Sequence, residues 1–378
     1  MLTREFGKLG ITRSAFGLGC MRFTGHEVDG KMVTDEEKAI RIIRKAIDGG
    51  VTYIDTAYVY IGGESEVVLG KALLDGYRDK VSIATKIPID RVKSIEDAEA
   101  ILATELERLQ TDHIDFYLMH GINKERWEEA KALGLPEWFD KLKAEGKIRY
   151  KCFSFHGPYD EFEYILKDWD WDMVQIQYNF MDVENQAGTK GLELAGSLGI
   201  PVVIMEGLLG GKLANAPDSV QAIYDEYPVK REPVEWAFRF LVSHPEVATV
   251  LSGLTTEEQI EDDLRIFNEE DLDVMTEEEN AIIDRVRDAY NARTKIGCTG
   301  CRYCMPCPNG VEIPRAFEIW NQSYMYGNIE DGKRAYGWLK NDGGSPDQCI
   351  ECGACEAQCP QSLPIIESLK EVVAELGE

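Results

Sequence analysis

Eight of the ten cysteines stand in two short strings, "CTGCRYCMPCP" at residues 298 to 308 and "CIECGACEAQCP" at 349 to 360. The thiols run Cys298, Cys301, Cys304 and Cys307, then Cys349, Cys352, Cys355 and Cys359. Three chemistries compete for thiols so spaced. Disulfides are disfavoured in a reducing compartment. Zinc takes four ligands to one ion and usually draws them as two pairs across a longer gap. One unbroken run would have to wrap the ion within roughly ten residues, which is sterically awkward. An iron–sulfur cube presents separated iron corners, and three thiolates of one tight loop can meet them. The cube fits the spacing best, and its chemistry is the movement of single electrons.

A second set of reactive side chains lies far upstream: Asp55, Tyr60, Lys86 and His120. They suit proton donation to a carbonyl oxygen. An ordinary tyrosine, with a pKa near ~10, is a poor acid at neutral pH. A nearby ammonium stabilises the phenolate and lowers that value. Asp55 would keep Lys86 charged and oriented, and His120 would orient the carbonyl by a hydrogen bond. With hydride arriving from the opposite side, the set reduces C=O to an alcohol. Taken singly, each residue has a plainer reading as a helix cap, a snorkelling lysine or a satisfied polar histidine.

The elements that must position these groups are legible in the first 270 residues. "AFGLG", "VTYIDTA", "VSIATK", "IDFYLMH", "YKCFSF", "MVQIQYN", "IPVVIME" and "VATVLSG" read as eight buried strands, being short, β-branched or aromatic, and bounded by Gly, Pro or acids. Helical patterns fill the gaps. A capping box is expected at Thr34 and Glu37, a cap at Ser94, and Pro233 at a first helical position. This alternation predicts a (β/α)8 barrel, an α/β fold, over residues 1 to 270. An open doubly wound sheet is the alternative, but it would usually carry a glycine-rich phosphate loop after its first strand. In a barrel, Asp55, Lys86 and His120 end strands two, three and four, at the C-terminal mouth where such folds carry their active sites. Tyr60 follows in the loop from the same mouth.

Over residues 1 to 270 the chain resembles the aldo-keto reductase family. "YIDTAYVY" matches the family's Asp-Thr-Ala-x-x-Tyr pattern, and "ATK" and "DFYLMH" its lysine and histidine strands. The resemblance implies a catalytic tetrad of Asp55, Tyr60, Lys86 and His120, with Tyr60 as general acid. "FSFHG" and "VQIQYN" resemble the segments that hold the nicotinamide amide, here through Ser154 and Gln175. "SGLTTEEQIEDDL" resembles the loop and helix that grip the adenosine end, which puts Gly253, Thr255, Gln259 and Asp263 on contacting positions. Some positions depart from the family. Met205 stands where an aromatic residue often stacks on the nicotinamide, and Glu206 where a small hydroxyl often lies near the pyrophosphate. Residues 252 to 263 hold five acids and no Lys or Arg, so a 2′-phosphate lacks its basic partner there. NADH is therefore expected over NADPH.

The second cysteine string is similar to the bacterial two-cluster pattern C-x2-C-x2-C-x3-C-P, in which the fourth cysteine ligates the other cluster. The first string is one residue shorter before its last cysteine. The resemblance implies two [4Fe–4S] clusters, one on Cys298, Cys301, Cys304 and Cys359, the other on Cys349, Cys352, Cys355 and Cys307. Residues 271 to 297 read as a helical connector, with a second capping box at Thr276 and Glu279. Residues 298 to 378 read as a mostly α-helical ferredoxin-like module. Cys20 and Cys152 read as small buried residues, with Cys20 at the barrel mouth.

Composition excludes several classes. The chain has 378 residues and a formal net charge of −27, which repels nucleic-acid phosphates and anionic membranes. No apolar run approaches the roughly 20 residues of a membrane span. The start "MLTREFGKLG" lacks a signal-peptide core, so a cytoplasmic location is expected. The expected activity is interconversion of a small carbonyl and an alcohol, coupled to single-electron transfer. A hydride and a single-electron carrier need a converter, and Met205, Glu206 and Cys20 leave a flavin as a cofactor alternative. The rival readings are a flavin-containing electron-transfer protein and a nicotinamide-binding redox sensor. Residues 295 to 340 carry six Lys or Arg against four acids, so a small acidic ferredoxin or flavodoxin is the expected external carrier.

Overall fold

Eight short apolar segments pair in parallel, each with the next, and the last closes on the first. They are β1 Phe16–Gly19, β2 Tyr53–Asp55, β3 Ser82–Pro88, β4 Ile114–Ile122, β5 Ile148–Phe155, β6 Met173–Gln177, β7 Val202–Met205 and β8 Val247–Gly253. This computed structural model describes residues 1–28 and 31–377. The eight strands read from the sequence are the barrel strands. The doubly wound alternative fails because β8 pairs with β1, Val250 against Phe16.

Strand periodicity explains what fills the barrel and what is left for chemistry. Alternate side chains face inward. The lower inward positions are apolar: Tyr53, Ala84, Phe116, Cys152, Met173 and Val203 form one buried cluster. Cys152 is thus a core residue. Phe6, just after the first strand of the N-terminal hairpin Thr3–Glu5 and Thr12–Ser14, joins that cluster, its ring 5.8 Å from Tyr53 and 5.6 Å from Phe116. Two residues further along three of these strands come Asp55, Lys86 and Gln175, so the same period that buries the core lifts polar groups to the C-terminal end.

The helices follow their expected signals with one shift. Ser94 caps Ile95–Leu109 by accepting from the Asp97 amide at 3.3 Å. Glu36–Asp48 is capped by Asp35 rather than Thr34, through the Lys38 amide at 3.1 Å. Thr34 ends a hairpin strand, Lys31–Thr34, and its hydroxyl is buried instead. Pro233 opens Pro233–Val242 as expected.

The chain divides into two compact units, Met1–Gly210 with Glu235–Thr276, and Gly211–Val234 with Glu277–Glu378. The second unit therefore takes residues 211–234 from the expected barrel segment, and the helix Glu277–Asn291 from the expected connector. Tertiary ion pairs account for this. Arg285 binds Glu226 through both guanidinium nitrogens at 2.7 Å and 2.8 Å, and Arg231 pairs with Glu279 almost fully buried. Glu279 thus serves a long-range ion pair, beyond the local capping role read from the sequence. The rest of this unit is mostly helical, built on Ile313–Met325, Ile329–Asn341 and Ile365–Leu376 around Phe317, Trp320, Leu369 and Val372. Gly332 sits mid-helix because a Cβ there would lie 1.9 Å from the Ser323 hydroxyl. Among the described residues no helix is long and apolar enough to cross a membrane.

Candidate functional site

Lys86 organises the barrel mouth. Its ammonium is 1% exposed and donates to Asp55 Oδ1 at 2.5 Å, the Thr56 carbonyl at 2.7 Å and the Tyr60 hydroxyl at 3.3 Å. Three partners account for its three donors. Burial opposes the charge, yet Asp55 and Tyr60 outweigh it and push the Lys86 pKa up. Asp55 is fixed from its other side by Gln175 Nε2, which donates to Oδ2 at 3.1 Å.

Tyr60 is aimed by an unusual backbone. Ile61, Gly62 and Gly63 follow it with positive φ of 50°, 65° and 98°, which folds the chain tightly behind the ring. From the sequence alone the ammonium is expected to lower the pKa of this hydroxyl. In the structure burial is the larger effect and pushes its pKa above the ordinary value, with Lys86 offsetting only part. Tyr60 therefore stays protonated at neutral pH, as a proton donor must.

His120 meets Tyr60 edge-on, ring centroids 6.0 Å apart at 79°. Gly121 follows at φ +56°, where the pairing of β4 with β5 loses register. Burial, then Lys86, His156 and Arg126, push His120 down to about 3. Its imidazole is neutral, able to donate one hydrogen bond without carrying charge. Cys20 is fully buried, and burial, followed by Asp55, raises its thiol pKa. Its carbonyl accepts from Ser65 Oγ at 2.7 Å.

The expected nucleotide contacts are less uniform. Ser154 Oγ accepts from the Gly121 amide at 2.8 Å, which leaves its proton to donate. Gln175 Oε1 is buried with no hydrogen-bond partner. Gln259 turns back instead of outward: its Oε1 accepts from the Thr255 amide at 2.8 Å and the Thr255 hydroxyl at 3.0 Å, within the capping box of Glu257–Ile266. Asp263 is buried beside Ser252, and burial lifts its carboxyl to about 7. Met205 is half-buried at the end of β7, and Glu206 is exposed at φ +59°.

Three polar groups, two of them arginines, escaped the sequence reading. Arg22, just past β1, lies with its stem 3.3 Å from where a Gly253 Cβ would be, and its Nη2 equally close to that of Gly210. Arg126 donates to the Gly121 carbonyl at 2.8 Å, and His156 Nδ1 faces Gln186 Oε1 at 3.1 Å. All three follow barrel strands by a few residues, which is the only sequence signal they carry.

In the second unit the cysteines stand around cavities. One of about 210 Å³ is lined by Cys304, Cys307, Cys349, Cys352 and Cys355. A smaller one is lined by Cys298, Cys301, Cys304 and Cys359. Burial raises the Cys304 thiol pKa, and the neighbouring Cys298, Cys301 and Cys359 raise it further, so Cys359 has crossed to the first string. Among the described residues no three His, Cys, Asp or Glu side chains converge as the ligands of a single ion do.

Comparison with known proteins finds two family models along the chain, and the first includes residues 211–234. The aldo/keto reductase family model matches residues 15–288, and a 4Fe-4S dicluster domain model matches residues 297–363. Aldo-keto reductase YhdN of Bacillus subtilis is 41% identical over 152 residues, 37% of this chain and 43% of YhdN. The uncharacterized oxidoreductase YqkF of the same organism is 29% identical over 312 residues, 74% of this chain and 94% of YqkF. Among solved structures, aldo-keto reductase AKR11C1 from Bacillus halodurans in its holo form is 28% identical with a TM-score of 0.64, over 76% of this chain and 96% of its own. An aldo-keto reductase from Klebsiella pneumoniae in complex with NADPH has the same fold at 23% identity and a TM-score of 0.60, over 76% and 96%.

Proposed function

The chain belongs to the aldo/keto reductase family, and from that premise we propose that it reduces a carbonyl compound to an alcohol at the mouth of its barrel. The observation that carries this reading is the Lys86 ammonium held between Asp55 and the Tyr60 hydroxyl. A bound nicotinamide dinucleotide would supply the hydride to the carbonyl carbon. Tyr60 gives its proton to the carbonyl oxygen, so hydride and proton together complete the alcohol. Lys86 stabilises the phenolate left behind, and Asp55 keeps Lys86 charged in a buried site. Neutral His120 donates a hydrogen bond to the same oxygen and aligns it with the Tyr60 proton.

The residues present fit the nicotinamide. Gln175 Oε1 is a buried acceptor without a donor, and the Ser154 hydroxyl retains a proton to give. A carboxamide has an N–H donor and a carbonyl acceptor to match them. For the phosphates, Arg22 supplies the cation that residues 252 to 263 lack. Its stem runs beside Gly253, and among the described residues it has no hydrogen-bond or ion-pair partner. A cation from outside residues 252 to 263 is thus available to a phosphate, so the acids of that segment do not decide against NADPH. Two Klebsiella pneumoniae aldo-keto reductase structures of this fold hold NADP and NADPH, and NADPH is the cofactor proposed here.

The second unit is proposed to hold two [4Fe–4S] clusters, one on Cys298, Cys301, Cys304 and Cys359, the other on Cys307, Cys349, Cys352 and Cys355. A cavity between four thiols suits a cube of several irons better than a single zinc. Each such cluster moves one electron, so two together match the two electrons of a hydride. A small ferredoxin or flavodoxin is the proposed external partner. Carbonyl-dependent oxidation of NADPH by the purified chain tests the reductase reading; no consumption across aldehydes and ketones would sink it.

A further inference from the structure

The charge around His120 says more than a simple carbonyl requires. In a chain of net charge −27 most guanidinium groups have found acids. Arg78 and Arg149 bind Asp115 at 2.9 Å and 3.0 Å, and Arg108 binds Glu66 at 3.1 Å. Arg126 has not. It lies in the first turn of the helix Lys124–Ala132, which follows β4 directly, and is half-buried. Its one side-chain hydrogen bond goes to the backbone carbonyl of Gly121, the residue after His120. Among the described residues no carboxylate reaches it within ion-pair distance. His156, one residue beyond β5, likewise faces a neutral partner, Gln186.

Arg126 is therefore a charge anchored to the strand-four loop, yet unspent. Of the five N–H donors on a guanidinium one is used, which leaves the paired donors that match a carboxylate. Burial, and after it Lys86, His156 and Arg126, hold His120 neutral, so Arg126 acts electrostatically where the substrate oxygen would be aligned. Lys86 is neutralised by Asp55; Arg126 is not. Such a field raises the local concentration of anions.

We propose that the substrate is a short oxo acid, its carbonyl at Tyr60 and His120 and its carboxylate taken by Arg126. This rests on the carbonyl-reductase reading of the same site and names its substrate class. Arg126 is a specificity residue: it binds the part of the substrate that does not react.

The test compares 4-oxobutanoate with butanal, aldehydes of equal length that differ by the carboxylate, with NADPH and the full chain. The acid is expected to have a kcat/KM about 10–100-fold higher, the range of a charge-assisted hydrogen-bonded pair. Arg126→Met should bring that ratio close to one, mainly through KM for the acid, and Arg126→Lys should restore part of it. Should Arg126→Met fail to fold, the wild-type ratio and its decline with added salt carry the test. Equal kcat/KM for both aldehydes in the wild type, or an unchanged ratio in Arg126→Met, overturns the inference and leaves the reductase reading intact. Reduction of neither aldehyde, nor of any other carbonyl, sinks the reductase reading and takes this inference with it.

Discussion

The ammonium of Lys86 lies 3.3 Å from the hydroxyl of Tyr60, on a strand whose residues 82 to 88 are all buried. The same ammonium is bonded to Asp55, so a proton donor, its electrostatic support and a counter-ion form one connected group.

Removing one member should expose the others. Lys86→Met leaves Asp55 as a buried, unpaired carboxylate, which typically costs about 3–5 kcal/mol. The variant should melt well below the wild type, and Asp55→Asn in the same chain should recover much of the loss. In whatever folds, the alkaline limb of the pH–rate profile should move up, because Tyr60 loses the charge that offsets its burial. An unmoved limb would argue that Tyr60 is not the proton donor.

Asp263 predicts a stability slope. Its carboxyl is lifted to about 7 in the folded chain, above its ordinary 3.8. The folded state then holds a proton that the unfolded state releases, so stability is full below about pH 4 and falls as pH rises towards 7. Asp263→Asn should remove this slope and be more stable at pH 8 by a few kcal/mol. Denaturant melts of both proteins at pH 4.5 and pH 8 check it; parallel curves would contradict it.

Arg22 predicts cofactor choice. NADPH should bind more tightly than NADH, and Arg22→Ala should weaken NADPH by ~10-fold and close most of the gap, as expected for one lost charge-assisted hydrogen bond. Fluorescence titration of both nucleotides measures this. Tighter NADH binding in the wild type would restore the reading drawn from the acidic segment alone.

How much was legible follows from which forces are local. The barrel strands and the inward positions of Asp55 and Lys86 follow from period-two burial, written in a few consecutive residues, but only Asp55 ends its strand; Lys86 and His120 lie two residues inside the ends of β3 and β4. The local bonding of Gln259 was not legible, because its side-chain oxygen turns back to Thr255 and Thr256 once the helix is capped. Nor was the assignment of residues 211 to 234 to the second unit, since Arg231–Glu279 and Arg285–Glu226 join residues far apart in sequence. Arg22 and Arg126 gain meaning only when folding sets them beside Gly253 and Gly121.

The cysteine cavities predict a metal count. Two cubes require about eight irons and eight sulfides per chain. Cys359→Ser and Cys307→Ser should each lose about half of the iron, from different clusters, because each crosses to the other string. Iron near four in the wild type would leave only one cluster, and zinc in place of iron would remove the electron-transfer role.

The most direct test of the catalytic assignment is kcat for aldehyde reduction by Tyr60→Phe against wild type, with NADPH binding measured on both. One hydroxyl is removed with little change in volume. The account predicts a fall in kcat of ~10²–10⁴-fold with nucleotide affinity and iron content preserved. Turnover within a few-fold of wild type would show that the Asp55, Tyr60, Lys86 and His120 group does not carry the reaction.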